Sequence, residues 1–243
     1  MITVCELEKM AHDLVFNFQS FIPEHLRHCS DFIKCQYLIK TFNIYLNPVV
    51  SYTTRPKRDN ETDGVEHYFI SKEAADAKLS KENLLAYTKI GDIEYFATTE
   101  SLNGSNIYII DPNGVKFLKE HNPYADIYVI YISTPDEIRK ERCKNRSDFA
   151  TSFQKRIESE NEQFTEFEKS KQWNLNIWNE YSIFSSVTLL LVNIFKLKIM
   201  TDKNKNTLFL VVGRSGSGKD TIITEAINYL DKLRNIEKVL IKE

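Results

Sequence analysis

The run Leu208-Phe-Leu-Val-Val-Gly213-Arg-Ser-Gly-Ser-Gly-Lys219-Asp-Thr221 constrains this chain more than any other segment, because it carries an apolar stretch through a glycine turn into a lysine and a helical pattern. The whole polypeptide has seven glycines, and Gly213, Gly216 and Gly218 all fall in this short turn. Glycines so spaced let successive backbone N–H groups curl around an anion, while the helix that follows points its positive end at the same place. Lys219 adds a point charge. Strand, glycine turn, Gly-Lys and helix together are the form of a phosphate-binding loop. Gly213, Arg214, Ser215, Gly216, Ser217, Gly218, Lys219, Asp220 and Thr221 are therefore the expected cradle for the phosphates of a nucleoside triphosphate. A loop and one helix cannot complete such a site. An acceptor pocket, charge-neutralising arginines and flanking parallel strands must come from earlier in the chain.

Composition bounds the remainder. With 243 residues, 42% of them hydrophobic and 12% aromatic, the chain can bury the core of one large domain, or of one domain with a small appendage. A formal net charge of −2 provides no broad footprint for nucleic acid, so small phosphorylated ligands are the expected partners. Cys5, Cys29, Cys35 and Cys143 form no CxxC pair and no secretory leader is recognisable, which points to the reducing cytoplasm. His25, His28, Cys29 and Cys35 match no standard zinc spacing and read as ordinary side chains. The most apolar segment, Ile183 to Ile199, is interrupted by Ser185, Ser186, Thr188 and Asn193, so it predicts a buried helix rather than a membrane span. Ser182 would cap it, with Ile183, Val187, Leu190, Ile194 and Leu197 on one face. Either a monomer or a homodimer is compatible with these features.

Along the chain, Ile2 to about Phe42 predicts amphipathic helix broken at Pro23. From Asn47 the pattern becomes mixed β. Val49 to Thr54 reads as a strand, Tyr68 to Ser71 as a short strand, Lys72 to Leu79 as a helix, and Leu84 to Thr88 with Glu94 to Ala97 as strands about Gly91-Asp92. Ile107 to Ile110, Ile127 to Ile132 and Leu208 to Val212 are β-branched and aromatic runs without polar alternation, as parallel strands covered on both faces require. Helical patterns separate them, so the predicted class is α/β with a central parallel sheet.

A second constellation is Ser51-Tyr-Thr-Thr-Arg55-Pro-Lys-Arg58, followed by Glu61, Gly64 and His67-Tyr68-Phe-Ile-Ser71. Two guanidinium forks on an extended segment can be aimed at one phosphate dianion. This segment, taken with GRSGSGKDT, resembles the guanylate kinase family of phosphate-loop nucleoside monophosphate kinases from about Asn47 onward. The resemblance implies ATP-dependent phosphorylation of GMP or dGMP, with Mg2+ as cofactor. It also implies a parallel-sheet kinase core, a small mixed β acceptor segment and a helical lid. Carried over by position, Ser51, Arg55 and Arg58 would bind the acceptor phosphate, with His67 or Tyr68 as a further donor. Thr98 and Asp111 would lie beside the acceptor nucleotide, and Thr88 stands closest to the position of the family's guanine-reading glutamate. Arg142, Arg146 and Arg156 would be lid arginines acting with Lys219 in catalysis, and Asn179 would sit beside the adenine.

Four features depart from the family. His67 stands where the family usually has a tyrosine on the acceptor phosphate, with Tyr68 directly after it. Thr88 lacks the carboxylate that accepts two hydrogen bonds from guanine. Asp220 follows the loop lysine where a hydroxyl normally meets the metal, leaving Asp220 and Thr221 as candidate Mg2+ ligands; the Gly-Lys-Asp form also resembles ribose bisphosphate kinases of the same fold. Segment order is exchanged, with the Ser51 segment ahead of the loop. The expected organisation is a helical extension over 1–46, then acceptor, core and lid over 47–199. A linker and the loop strand-helix over 200–243 would complete that domain by circular permutation. A binding module of this fold without catalysis, or a kinase with another small acceptor, are the alternative readings.

Overall fold

A computed structural model describes residues 3–59, 61–81, 83–123, 125–144, 149–201 and 206–235, with backbone alone for 149–159. It divides into two compact units, one formed by 1–46, 177–205 and 220–243, the other by 47–176 and 206–219.

The first unit is helical. Helix α1 (Val4–Asn17) starts at a capping box in which Thr3 and Glu6 satisfy each other's backbone donors. Where the sequence predicts one helix broken at Pro23, short 3-10 turns at Gln19–Phe21 and Glu24–Leu26 separate α1 from α2 (Asp31–Thr41). Pro23 extends the backbone at that break, as a residue fixed near φ −65° without an N–H does. Helix α7 (Ile183–Met200) begins at Ser182, whose hydroxyl accepts from the Ser185 N–H. By length and composition it could cross a membrane. Here it buries Val187, Leu190, Leu191, Ile194, Phe195 and Ile199. That apolar face is wider than the predicted single stripe, and Ile183 and Leu197 are only half-buried. Phe195 stacks on Phe18 just beyond α1, and Phe184 meets Tyr229 of α8 (Lys219–Arg234) edge-on, so α7 has apolar neighbours on more than one side.

The second unit contains two sheets. The smaller comprises β1 (Ser51–Thr53), β2 (His67–Phe69), β3 (Leu84–Ile90) and β4 (Ile93–Thr98) in the order β2-β1-β4-β3, parallel at β1/β2 and antiparallel elsewhere. Helix α3 (Lys72–Leu79) follows β2, its N-terminus capped by Ser71. The larger sheet orders β5 (Ile107–Ile109), β8 (Leu208–Val212), β6 (Ile127–Ser133) and β7 (Leu175–Trp178) as β5-β8-β6-β7. The loop strand β8, late in the chain, thus lies between β5 and β6 and runs parallel to both. All five of its residues are buried, which accounts for its unalternating apolar sequence. Helices α4 (Pro112–His121), α5 (Asp136–Lys144) and α6 (Phe149–Ser170) connect these strands. One core joins the two sheets, drawing on Leu85 and Ala97 of the smaller, Tyr108, Val129 and Leu210 of the larger, and Phe164 and Phe167 of α6.

Candidate active site

The turn after β8 has the shape its sequence requires. Gly216 has φ +79°, where an L side chain is strained, and a Cβ there would lie 2.5 Å from the Arg139 carbonyl and 2.9 Å from Cys143 Sγ. Gly213 is needed for closeness instead, since its Cβ would stand 2.9 Å from the Ile132 carbonyl. Neighbouring side chains tie the loop's outward groups. Thr134 Oγ1 and Arg142 Nη1 donate to the Ser217 carbonyl at 3.1 and 3.4 Å, and Arg139 Nη1 donates to the Ser215 carbonyl at 3.1 Å. The Ser215 N–H donates to Glu160 Oε1 of α6 at 2.9 Å. Helix α8 starts at Lys219, placing Asp220 and Thr221 in its first turn, both exposed.

Lys219 acts electrostatically on Asp111, the cap of α4. Burial pushes the Asp111 carboxyl above the usual range, while hydrogen bonds from the Gly114 N–H and Thr88 and the Lys219 charge pull the other way. Asp111 Oδ1 accepts from Thr88 Oγ1 at 2.8 Å and from Gly114 N–H at 2.7 Å. Burial also raises the Tyr108 hydroxyl, with the Asp111 charge adding to the effect, whereas a hydrogen bond with Ser51 opposes it. Ser51 Oγ lies 2.9 Å from His67 Nδ1. Hydrogen bonds thus join Thr88 to Asp111 and Ser51 to His67, and the Lys219 charge is felt at Asp111.

Strand alternation separates His67 from Tyr68. His67 faces Ser51, while Tyr68 is 39% exposed and stacks on Tyr52 at 5.0 Å. Thr98 is buried at the start of a 3-10 turn, where its backbone N–H donates to Ser101 Oγ. Asn179 belongs to the helical unit, is buried, and accepts a hydrogen bond from Ser186 of α7. Arg142 reaches the loop as described. Arg146 lies outside the described residues, and Arg156 is placed on α6 by its backbone alone.

Arg55 differs from the open fork that the sequence suggests. It is 7% exposed, its Nη1 donates to Glu61 Oε2 at 2.7 Å and its Nη2 pairs with Glu61 Oε1 at 2.5 Å, and its plane lies over Phe69. The same carboxylate accepts the Arg58 N–H at 2.8 Å. A carboxylate three residues after Arg58 was the available signal for this clamp, since i,i+3 spacing in a turn brings such groups together. Burial pushes the Glu61 carboxyl up, but Arg55 and Arg58 overcome this and hold it at about 2, against an ordinary 4.5. A carboxyl depressed in this way stabilises the fold above its unfolded value and loses that contribution as pH falls from about 4.5 through about 2. Urea unfolding at pH 6 and pH 2.5 should show the wild type losing about 2.5 kcal/mol more than Glu61→Gln across that window. Equal losses in both proteins would dissociate Glu61 from acid sensitivity.

Two residues that sequence reasoning passed over hold the loop: Arg139, 3% exposed and also paired with Asp136 at 2.8 Å, and Glu160. Arg139 carried a faint signal, standing one helical turn before Arg142; Glu160 carried none, being one of several acidic residues on α6.

Comparison with known proteins identifies the family. Residues 31–180 match the guanylate kinase family, a span that starts within α2, ahead of Asn47, and ends before the phosphate loop. The chain is 26% identical over 180 residues to guanylate kinase of Clostridium acetobutylicum, covering 72% of this chain and 83% of that protein. Against guanylate kinase of Buchnera aphidicola subsp. Baizongia pistaciae it is 25% identical over 183 residues, covering 72% and 87%. A crystal structure of guanylate kinase from Anaplasma phagocytophilum aligns with TM-score 0.46 and 17% identity over 70% of this chain and 84% of that one. With more than half its length matched and the phosphate loop carried on the central strand of its parallel sheet, the chain belongs to the guanylate kinase family.

Proposed function

We infer that this protein transfers the γ-phosphoryl group of ATP to the phosphate of GMP or dGMP, giving ADP and the nucleoside diphosphate. The observation that carries the reading is that β5 and β8 run parallel side by side, so Asp111, which follows β5 and accepts from Thr88, stands at the same edge of the sheet as the glycine turn that follows β8. Donor and acceptor side chains then belong to one neighbourhood. An acceptor phosphate oxygen forms the new bond to the γ-phosphorus as the bond to the β–γ bridging oxygen of ATP breaks, and the electron pair leaves on ADP.

No covalent intermediate is required, so the chain's contribution is alignment and charge neutralisation. The loop N–H groups and Lys219 hold the donor phosphates. Ser51, His67 and Arg58 meet the acceptor phosphate, with Arg55 behind them, braced by Glu61. Arg142, Arg146 and Arg156 serve the phosphoryl group in transit. Asp220 and Thr221 form an oxygen donor set suited to a hard divalent cation, and these residues would hold Mg2+ with the nucleotide. Mg2+, when bound, would neutralise charge on the β and γ phosphates.

Thr88 spends its hydroxyl proton on Asp111 and has no carboxylate to accept two guanine N–H groups, so Thr88 does not itself read the guanine base as a glutamate would. The test is ADP release from MgATP with GMP, dGMP, AMP, CMP, UMP and ribose bisphosphate offered singly. We expect release with GMP and dGMP. Release only with a sugar phosphate would move the protein to another acceptor class, and silence with every acceptor would make it a binding module.

A further inference from the structure

The side chain of Arg214 lies inside the phosphate loop's sequence, yet it is directed at α6. Its Nε and Nη2 donate to Glu168 Oε1 and Oε2 at 2.8 and 3.0 Å, its Nη1 donates to Asn161 Oδ1 at 2.7 Å, and its plane lies over the Phe164 ring. Three guanidinium nitrogens are therefore engaged by one helix. Glu168 is itself held from the other side, since the Tyr131 hydroxyl on β6 donates to its Oε1. Burial pushes the Glu168 carboxyl up, and the Arg214 fork overcomes this and keeps it below the usual range, so the pair is ionised at neutral pH. Two turns earlier on α6, Glu160 accepts the N–H of Ser215, the next loop residue. A bidentate pair, an amide contact and a backbone contact thus fasten consecutive loop residues to a single helix.

We propose that Arg214 and Glu168 are a positioning pair for the donor nucleotide: they brace the phosphate loop against α6, so that the turn already holds its shape when ATP arrives. This rests on the reading that the loop holds ATP phosphates and is independent of the acceptor. The brace costs the nucleotide nothing electrostatically, because each charge is neutralised by the other before the anion binds. Preorganisation of this kind appears in affinity, since a loop that must be ordered on binding weakens the complex by the ordering cost.

The sign of one substitution separates this role from direct contact. If Arg214 touched ATP, Arg214→Met would weaken ATP while Glu168→Gln, which removes a negative charge near an anion site, would leave ATP affinity unchanged or improve it. If the two brace the loop, both substitutions weaken it. MgATP binding would be measured by titration calorimetry for the wild type, Arg214→Met, Arg214→Lys, Glu168→Gln and the Arg214→Met/Glu168→Gln double variant, with thermal midpoints for each. We expect the dissociation constant for ATP to rise about tenfold in Arg214→Met and in Glu168→Gln, and the double variant to be no weaker than the worse single. Arg214→Lys, which keeps the charge and loses one prong, should fall between. It also preserves the test should Arg214→Met fold poorly. KM for GMP should stay within about twofold throughout.

Unchanged or tighter ATP binding in Glu168→Gln overturns the proposal. So do losses in the double variant that equal the product of the singles, or lowered thermal midpoints with ATP affinity unchanged. A wild type that fails to bind ATP sinks the donor reading and the brace together, whereas a wild type that binds ATP and transfers nothing to GMP sinks only the acceptor reading.

Discussion

Lys219→Ala is expected to lower kcat/KM for phosphoryl transfer by about a thousandfold, or ~4 kcal/mol, while the affinity for GMP stays within about threefold. The loss arises because the lysine is a point charge at the mouth of a cradle otherwise made of neutral N–H groups. Where phosphate charge shifts as the bond to the leaving oxygen breaks, no other side chain of the loop can replace it. Arg214 is turned to α6 and held there by Glu168, so it does not stand in by a rotamer change. A second consequence follows at Asp111. Burial already pushes that carboxyl above the usual range, and Lys219 is among the groups that oppose the shift. Its removal should raise the Asp111 pKa further, visible as an upward move of that residue's carboxyl titration by NMR. Steady-state kinetics with both substrates varied, combined with calorimetric GMP binding, tests the first part. Retention of even a tenth of wild-type turnover would remove Lys219 from its assigned role.

Gly216→Ala should be nearly as damaging, for a different reason. The residue sits at φ +79° and its added Cβ would lie 2.5 Å from a backbone carbonyl, that of Arg139, which cannot swing aside as a side chain could. Backbone strain of this kind costs on the order of 1–3 kcal/mol, and the close contact with α5 adds to it. The turn must either flatten or push α5 away, and in both cases the amides lose their aim. We expect ATP affinity to fall by at least about a hundredfold, with circular dichroism close to wild type because β8 and α8 persist on either side. Gly91→Ala is the matched control. Gly91 has φ +61°, yet its Cβ meets no atom within 4 Å, so it carries the dihedral strain without the collision. A similar loss of ATP binding in both variants would mean that strain spread through the fold, and not closure of the cradle, accounts for the effect.

Much of this site can be read in the chain itself. The glycine turn with its lysine, and the strand and helix around it, appear where the pattern places them, with β8 matching Leu208 to Val212 and α3 matching Lys72 to Leu79 residue for residue. These signals are local: an unalternating β-branched run, a serine cap, glycines needed for φ or for close approach. His67 and Tyr68 were indistinguishable because adjacency in sequence says nothing about side until β2 is paired. Its parallel register with β1 then puts His67 opposite Ser51. The occupation of Arg55 by Glu61 was signalled only faintly, by the carboxylate three residues after Arg58, since a guanidinium near a carboxylate in sequence can as easily face solvent or a ligand.

Local chemistry, then, determined that an anion-binding turn, twin arginines and parallel strands are present, because glycine dihedrals, caps and hydrophobic period depend only on near neighbours. Tertiary structure decided which of those groups meet. It inserted a strand from residue 208 between strands from residues 107 and 127, brought Thr88 onto Asp111, turned Arg214 to Glu168 and closed Arg55 on Glu61. The physical reason is that burial makes an unpaired charge too costly to leave alone, and the partner that satisfies it is chosen by packing between segments far apart in the chain.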